Sequence, residues 1–341
     1  MTRLAVSTVA LCLALSLDPT HVSSSALHDH AAARMSMGCE YAIEAYGRDE
    51  EALPRILDEA FDEVDRIDRL MSHYKLDSPL SRINRDADRH PVAVPQELFD
   101  FIAEAMRYHR ESGGTFDITV GPLMKAWGFF RGEGRLPSES ELAGARRHVG
   151  GAHLTLDPAS RTIAFDEAGV ELDLGGIAKG YAVDRVVDLL KRRDVAAALI
   201  SAGGSTIYAF GSPPAAAAWT VALQDPTDSR KTAFTLGLKD RALSIAGSSE
   251  KSFEADGVRY SHIMDPRTGR PAQGVLSVAV LTSTGTAGDA LDNAVFVLGP
   301  EHGRAYLHRL DDTEVIFFMP HASHGWKIVR EKSQQVRSVR L

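Results

Sequence analysis

Apolar side chains recur three and four positions apart in several segments, which is the spacing of one helix face. The first segment, over residues 54–71, has the apolar positions Ile56, Ala60, Val64, Ile67 and Met71. The second, over residues 96–111, is followed by a Ser-Gly-Gly cluster that is typical of a helix end. Both segments are predicted to be helices that pack one face on a core.

Two further helices are predicted in the second half of the chain. One covers residues 177–192, directly after a Gly-Gly turn. Its apolar face carries Val183, Val186, Val187 and Leu190, and its predicted outer face carries Asp184, Arg185, Asp188 and Lys191. The other is predicted to begin with Thr286 as its cap and to end at Gly299-Pro300.

Short apolar or alternating segments are predicted to be strands. They cover residues 37–46, 153–156, 161–165, 170–174, 197–200, 218–224, 233–238, 242–246, 276–283 and 315–318. Helices and strands do not alternate strictly, so the pattern predicts an α+β fold of mixed sheets with packed helices. We expect a single compact unit over residues 35–335, because no repeat or clear linker divides the chain.

Composition narrows the class of protein. The chain has 341 residues, 44% of them hydrophobic, which is enough for a sizeable core. The net charge of −8 argues against nucleic acid as the main partner, because neutralising phosphates requires a basic excess. The two cysteines, Cys12 and Cys39, are too few for a disulfide scaffold. The dinucleotide, P-loop, zinc-protease and serine-hydrolase motifs are absent from the sequence.

The N-terminus has the features of an export signal. Arg3 precedes apolar or small residues from Leu4 to Leu17, and Ser24-Ser25-Ala26 offers small residues for cleavage. Residues 1–26 are therefore predicted to be a cleaved signal peptide, and the mature protein to be periplasmic. The alternative is a frayed helix of the mature fold. No later apolar run reaches the roughly 18 residues of a membrane-spanning helix.

Three polar side chains near the start of the last long helix have the spacing to converge. Asp289, Asp292 and Asn293 stand at positions i, i+3 and i+4 of one helix face. Two carboxylates and an amide oxygen are hard ligands that suit Mg²⁺. The alternative is a solvated helix start, where acidic residues are common because they complement the helix dipole.

Other candidate residues flank turns. In ELDLGGIAKG, Asp173 precedes two glycines, and Lys179 lies in the first turn of the next helix, where it can meet an anion. In GGTFDITVGP, Asp117 stands beside an aromatic residue before a Gly-Pro turn. His262 lies just before the turn at DPRTG. Each of these signals is also compatible with an ordinary turn or a structural side chain.

Seven blocks of this sequence together resemble the ApbE family, the FAD:protein FMN transferases. They are MGCEY, SHYKLDSPLSRIN, GGTFDITVGPLMKAWGF, ELDLGGIAKGYAVD, ALISAGGS, RYSHIMDPRTGRP and GDALDNAVFVLG. The blocks occur in family order and extend from Met37 to about Gly299. Each block alone is a weak signal, whereas seven in order are specific.

The resemblance implies an enzyme that uses Mg²⁺ to transfer FMN from FAD to a Thr or Ser hydroxyl of a flavoprotein, releasing AMP. The implied FAD-binding residues are Met37, Tyr74, Thr115, Phe116, Asp117, Asp173, Lys179 and Met264. The implied metal ligands are Asp289, Asp292, Asn293 and a backbone oxygen of Gly176. His262 matches a family histidine beside the phosphates. The implied partner is an acceptor flavoprotein, a subunit of a membrane redox complex that faces the exported side.

The identity of the general base stays open among Asp289, Asp292 and His262. A carboxylate bound to a cation is a poorer base, which favours His262. Two other functions stay open as well. One is a metal-dependent FAD pyrophosphatase that gives FMN and AMP, and the other is a non-catalytic periplasmic flavin-binding protein.

The sequence departs from the family pattern at three places. Asn293 stands where the family usually has Thr, and Cys39 stands where a Thr usually follows Met-Gly. Ile245-Ala246 replaces a Thr-Ser pair before a glycine. An amide oxygen can still coordinate a cation, so we expect metal binding to survive at Asn293. The departures concern metal affinity and the choice of acceptor more than the fold.

Overall fold

A computed structural model of the chain describes residues 27–130, 132, 134–249 and 251–334. The predicted signal peptide, residues 1–26, lies outside the described residues, and so does Cys12. Of the unit expected over 35–335, residues 131, 133, 250 and 335 are not described. Among the helices of the described residues, none combines the length and apolar character that crossing a membrane requires.

Helices and strands are mixed along the described chain, as the α+β prediction requires. The strands are β1 His28–Ser36, β2 Cys39–Gly47, β3 Val92–Ala93, β4 Leu154–Asp157, β5 Thr162–Phe165, β6 Ala197–Ala202, β7 Thr206–Phe210, β8 Trp219–Asp225, β9 Asp228–Leu238, β10 Arg241–Gly247, β11 Ser252–Ala255, β12 Val258–Ser261, β13 Met264–Asp265, β14 Arg270–Pro271, β15 Ser277–Thr282, β16 Glu314–His321 and β17 Gly325–Lys332. The helices are α1 Ala52–Met71, α2 Pro79–Asp86, α3 Gln96–Glu111, α4 Gly121–Ala126, α5 Glu139–Arg146, α6 Ala178–Arg192 and α7 Gly285–Leu307.

An eight-stranded sheet forms the centre of the described chain. Its strand order is β1-β2-β6-β7-β10-β15-β16-β17, and every neighbouring pair is antiparallel. The helices α1, α6 and α7 pack beside one another on the sheet. The order places β7 and β10 side by side, so residues from distant parts of the chain meet beneath α7.

The predicted apolar faces of the long helices are buried. In α1, Ala60, Val64, Ile67 and Met71 belong to the main core, while Ile56 is partly buried beside it. In α6, the predicted residues Val183, Val186, Val187 and Leu190 are buried in the same core. A second core, which includes Trp219 and Leu243, forms where the β8–β9 hairpin packs on the sheet. The sheet is thus covered by helices over one core and by a hairpin over another.

One strand prediction was wrong, and several short or edge strands were not predicted. The strand expected over 170–174 is absent, apart from a single parallel bridge between Val120 and Glu171. There the Asn84 side chain replaces a neighbouring strand as the hydrogen-bond partner of the backbone. Its amide oxygen accepts from the Leu172 N–H and its amide nitrogen donates to the Leu172 C=O, both at 2.8 Å. Strand β1 was missed, and it begins at His28, ahead of the expected domain start at residue 35.

The last long helix begins and ends differently from the prediction. Its cap is Thr284, whose hydroxyl accepts from the Ala287 N–H at 3.2 Å, and not Thr286. Gly299 breaks the helix as expected, with a left-handed φ of 66°. The chain resumes helical geometry from Pro300, because proline suits the first turn of a new helix.

Candidate functional site

The first turns of α6 and α7 are in contact and cap each other. A Cβ on Gly180 would lie 2.1 Å from the Gly285 carbonyl oxygen, so only glycine allows this approach. Asp184, one turn along α6, accepts hydrogen bonds from the backbone N–H groups of Gly285 and Thr286 at 2.6 and 2.8 Å. Asp289, one turn along α7, accepts from the Gly180 N–H at 2.6 Å. We call Gly180, Asp184, Gly285 and Asp289 the reciprocal caps.

The amphipathic pattern of α6 predicted that Asp184 points outward, and this prediction was wrong, because Asp184 contacts the start of α7. Its carboxylate also accepts from the Thr286 hydroxyl at 2.6 Å. Burial, with a smaller contribution from the charge of Asp289, raises the pKa of Asp184 to about 6 against the lowering effect of these donors. The helix pattern failed here because the outer face of α6 meets a second helix instead of water.

Asp289 is buried, at 4% exposure, and it accepts from three donors. Besides the Gly180 N–H, the hydroxyls of Thr206 on β7 and Ser244 on β10 donate to it at 2.7 and 3.1 Å. Burial raises the pKa of Asp289, whereas the Lys179 ammonium and the three donors lower it. A carboxylate offers about four acceptor positions, so one position is left for a further partner.

Oxygen atoms from both helix starts surround the amide of Asn293. Its Nδ2 donates to the Asp289 carbonyl oxygen at 2.9 Å and to the Asp292 carboxylate at 2.8 Å. It also lies 3.4 Å from the carbonyl oxygen of Gly176, in the turn before α6. The four residues predicted as metal ligands, Gly176, Asp289, Asp292 and Asn293, are therefore neighbours.

This donor set fits Mg²⁺ in its chemistry, because carboxylate and carbonyl oxygens are the ligands that Mg²⁺ prefers. One residue differs from the expected arrangement. Asn293 turns its amide nitrogen, and not its oxygen, toward Gly176. An N–H group cannot coordinate a cation, so Asn293 would act as a ligand only after its amide rotates.

Lys179 places a positive charge beside this oxygen cluster. Its ammonium donates to the Ser205 hydroxyl. The thiol of Cys39 is half-buried at the same place, and a Cβ on Gly203 would lie 3.0 Å from the Cys39 Cβ. Burial raises the pKa of Cys39 more than the nearby Lys179 lowers it, so the thiol is protonated at neutral pH.

The predicted stretch Thr115-Phe116-Asp117 is buried between α3 and the Gly-Gly turn before α6. A Cβ on Gly176 would lie 3.7 Å from the Phe116 ring. The Asp117 carboxylate accepts from the Thr119 N–H and hydroxyl, both at 2.7 Å. It also lies 3.2 Å from His109 Nδ1, and this hydrogen bond raises the pKa of His109. Asp117 is therefore held rigidly behind the Gly176 turn.

Asp173 and Tyr74 both lie next to His73, at one side of the candidate site. The Asp173 carboxylate accepts from the Gly175 N–H at 2.8 Å and lies 3.4 Å from Nδ1 of His73. Tyr74 is half-exposed, and its ring stacks on Phe130 with centroids 5.0 Å apart. The turn before α6 is thereby joined to the loop that follows α1.

His262 faces the same region from the bend between β12 and β13. Burial and the charge of Lys251 lower the pKa of His262 to about 4, with a smaller lowering by Lys179 and a small opposing effect of the Asp173 charge. The imidazole is therefore neutral at pH 7. Its Nδ1 lies 3.3 Å from the Lys251 carbonyl oxygen. This neutral ring has the protonation state that a general base requires.

Two further residues that were predicted to bind FAD, Met37 and Met264, pack against hydrophobic cores. Met37 lies at the tip of the β1–β2 hairpin, and its sulfur accepts from the Tyr41 hydroxyl at 3.2 Å. Met264 is buried in a small core with Trp127 and Phe129, close to His262 in sequence. The ring of Phe129 lies 6.5 Å from that of His262.

Comparison with known proteins identifies the family. A profile described as the ApbE family matches residues 37–317, which is most of the chain. The chain belongs to the ApbE family. It is similar to the FAD:protein FMN transferase of Vibrio cholerae, with 36% identity over 74% of each chain. It is also similar to that of Klebsiella pneumoniae, with 32% identity over 82% of this chain and 86% of the relative.

Solved ApbE structures share the fold. The flavin transferase ApbE from Vibrio cholerae superposes with a TM-score of 0.80 at 29% identity, over 92% of this chain and 99% of that one. The apo form of the Pseudomonas stutzeri flavinyl transferase ApbE gives a TM-score of 0.79 at 28% identity, over 90% and 95%. The expected ApbE-like α+β fold is therefore confirmed.

Several residues of this ApbE-family site escaped prediction. Thr206 and Ser244 donate to Asp289, and Asp184 caps α7. The sequence departure at Ile245-Ala246 suggested that hydroxyls had been lost or shifted, yet the preceding residue, Ser244, bonds Asp289. A signal for Ser244 existed in its position on a predicted strand. No local signal marked Asp184 or His73, because their partners lie far away in sequence.

Proposed function

We propose that the chain transfers FMN from FAD to a Thr or Ser hydroxyl of a target flavoprotein and that it uses Mg²⁺ for this reaction. The acceptor oxygen attacks the phosphorus of the FMN half of FAD. A phosphodiester bond forms, the bond between the two phosphates breaks, and AMP leaves. The names of the relatives support FAD as the donor and a protein as the acceptor.

The observation that carries the proposal is the meeting of hard oxygens and an ammonium at two helix starts. Gly176, Asp289 and Asn293 lie together, and Lys179 stands in the first turn of α6. Helix starts and ammonium groups attract anions, and carboxylates attract cations. A diphosphate together with a divalent cation would satisfy both halves of this arrangement.

The residues of the chain have separable tasks in this reaction. Lys179 neutralises phosphate charge, and the half-exposed Tyr74 offers a ring face for the flavin or the adenine. Gly176, Asp289, Asp292 and Asn293 would hold Mg²⁺, with Asn293 turned to present its oxygen. Bound Mg²⁺ supplies positive charge that makes the phosphorus open to attack by an alcohol.

The acceptor hydroxyl must lose a proton as its oxygen attacks phosphorus. His262 is the most suitable of the three candidate bases, because its imidazole is neutral at pH 7 and can accept a proton. Asp289 already accepts from three donors, and its role is to hold geometry and charge. The proton of the hydroxyl therefore passes to His262.

We further propose that residues 1–26 are removed on export and that the enzyme works in the periplasm on a subunit of a membrane redox complex. The apolar run of residues 4–17 supports export, and β1 starts at His28, just after the expected cleavage point. N-terminal sequencing of the exported chain tests this, with a mature start near residue 27 expected.

A single assay decides the proposed function. The purified protein is incubated with FAD, Mg²⁺ and a candidate flavoprotein subunit, and the products are followed by mass spectrometry and chromatography. We expect the mass of FMN on one Thr or Ser of the acceptor, an equal amount of AMP, and no product when a chelator is present.

Two other results would replace the proposal. Free FMN and AMP in equal amounts, with an unmodified acceptor, would make the protein an FAD pyrophosphatase. Bound but intact FAD would make it a flavin-binding protein.

A further inference from the structure

His73 is a buried histidine with one ring nitrogen unpaired. It lies in the loop between α1 and α2, and its side chain is only 9% exposed. Its Nε2 is buried and has no hydrogen-bond partner in the described chain. An unpaired buried polar atom is unfavourable, so native proteins supply a partner, which is a protein group, a water or a ligand.

The surroundings of the ring define what that partner is. One ring nitrogen, Nδ1, lies 3.4 Å from the carboxylate of Asp173. The Tyr74 and Phe130 rings pack near the imidazole, with centroids 4.1 and 5.1 Å away. A carboxylate and two aromatic rings thus lie beside the imidazole, while the buried Nε2 has no hydrogen-bond partner in the described chain.

The neighbouring carboxylate also selects the tautomer of His73. Beside a carboxylate, the neutral ring keeps its proton on Nδ1 and leaves a lone pair on Nε2. Such a nitrogen accepts a hydrogen bond from a hydroxyl or an N–H group. It does not pair with the oxygens of an ionised phosphate, because those carry no proton.

We propose that His73 is a substrate-binding residue, and that its Nε2 accepts a hydrogen bond from a hydroxyl of the bound flavin nucleotide. This inference rests on the proposed function, since it takes FAD as the substrate. FAD carries hydroxyls in two places, on the ribityl chain of its FMN half and on the ribose of its AMP half. Both present the same chemistry to Nε2.

The position of His73 explains why such a contact is useful. Asp173 Oδ1 accepts from the Gly175 N–H in the turn before α6, and His73 Nδ1 lies 3.4 Å from the same oxygen. A nucleotide hydroxyl on Nε2 would therefore be fixed relative to the same turn that presents the Gly176 oxygen. The contact aligns the substrate with the oxygen cluster without touching the reacting phosphorus.

The test compares His73→Phe and His73→Gln in the full chain. Phenylalanine keeps the ring and removes both nitrogens, whereas the glutamine amide oxygen can replace the acceptor at Nε2. We expect His73→Phe to weaken FAD binding about tenfold, which is the usual effect of losing one hydrogen bond. His73→Gln should restore binding to within about threefold of wild type. His90→Phe, a change at an exposed histidine, is the matched control and should bind FAD normally.

Titrations with the fragments FMN and AMP locate the hydroxyl. If His73→Phe weakens the binding of FMN but not of AMP, the contact is made by the ribityl chain. If it weakens the binding of AMP but not of FMN, the contact is made by the ribose. In turnover, the KM for FAD should rise while kcat stays within about twofold of wild type, because the contact is made equally before and during reaction.

One result would overturn the inference. If His73→Phe binds FAD as tightly as wild type while it unfolds at a lower temperature, Nε2 is paired with an internal water and the role is structural. This outcome is distinct from failure of the proposed function, which is scored by covalent flavin on an acceptor and not by binding. Loss of FAD binding in wild type itself would overturn both.

Discussion

The reciprocal caps and the His73 loop border the same candidate site, but their polar groups are satisfied in opposite ways. Asp184 and Asp289 each accept three hydrogen bonds from the protein itself. His73 Nε2 has no partner in the described chain, and Tyr74 next to it is half-exposed. The caps make their hydrogen bonds within the protein, whereas we propose that substrate supplies the partner of His73 Nε2.

The difference separates two kinds of contribution to catalysis. The caps fix the helix starts that carry Asp289 and Asn293, so the oxygen cluster needs little rearrangement, apart from the Asn293 amide. The His73 loop adds binding contacts that exist only with a ligand. Changes in the caps should therefore alter stability and activity together, whereas changes in the loop should alter substrate affinity alone.

The largest effect is expected from Asp289→Ala. The change leaves the Gly180 N–H and the hydroxyls of Thr206 and Ser244 without their acceptor in a buried place. We expect a loss of about 4 kcal/mol in the free energy of unfolding, from three unpaired donors, together with loss of AMP release. Urea denaturation and the FAD assay measure both.

The matched control for that variant is Asp188→Ala, at an exposed position of α6. It should change stability by less than about 0.5 kcal/mol. A stable but inactive Asp289→Ala protein would contradict the capping role and leave only the role in metal binding.

The next effect concerns pH and Asp184. Burial raises the pKa of this carboxyl from 3.8 to about 6, so the folded protein holds the proton more tightly than the unfolded chain. Its contribution to stability is thus full below about pH 4 and is lost as pH rises through 6. Asp184→Asn lacks this dependence, so the advantage of wild type over the variant should shrink by about 2 kcal/mol between pH 4 and pH 7.

Urea denaturation of both proteins at several pH values checks this prediction, because the other carboxyls cancel in the difference. Asp188→Asn serves as the control, with no change expected in its difference from wild type. A constant difference between wild type and Asp184→Asn would show that Asp184 titrates at its ordinary pKa.

A smaller effect is expected at Asn293. Asn293→Ala removes the amide oxygen proposed to reach the cation, while the side chain is only half-buried. The Mg²⁺ concentration for half-maximal AMP release should rise about tenfold, and stability should change little. Asn293→Thr keeps an oxygen and should stay close to wild type. Equal Mg²⁺ dependence of all three proteins would remove Asn293 from the ligand set.

The smallest effect is expected at Tyr74. Tyr74→Ala removes a half-exposed ring that stacks on Phe130. FAD binding should weaken about threefold to fivefold, in line with one aromatic contact. The melting temperature should stay unchanged, and Tyr74→Phe should behave as wild type. Fluorescence titration measures the affinity, and a large fall in melting temperature would place Tyr74 among the structural residues.

Periodicity predicted the elements whose structure is set locally. The faces of α1 and α6 follow from apolar spacing, and the Gly299 break follows from glycine chemistry. The order of the central sheet could not be predicted, because it joins β2 to β6 and β10 to β15 across long stretches of chain. The segment 170–174 was mistaken for a strand because its pairing is made by a side chain, that of Asn84.

The candidate site was predictable only where one helix face carries it. The spacing of Asp289, Asp292 and Asn293 predicted that their side chains lie close together, and the family resemblance implied Gly176 as a further ligand. Asp184 looked like a surface acid because nothing in α6 indicates the second helix that it caps. His73 gave no signal, since an unpaired nitrogen is a property of three-dimensional surroundings.

The most direct test is a crystal structure of the protein with FAD and Mn²⁺ in place of Mg²⁺, with the cation located by its anomalous scattering. We predict a cation within about 2.5 Å of oxygens from Gly176, Asp289 and a rotated Asn293. We also predict unchanged hydrogen bonds in the reciprocal caps and a nucleotide hydroxyl on His73 Nε2. A cation bound away from α6 and α7, or caps that rearrange around it, would contradict the proposed metal site.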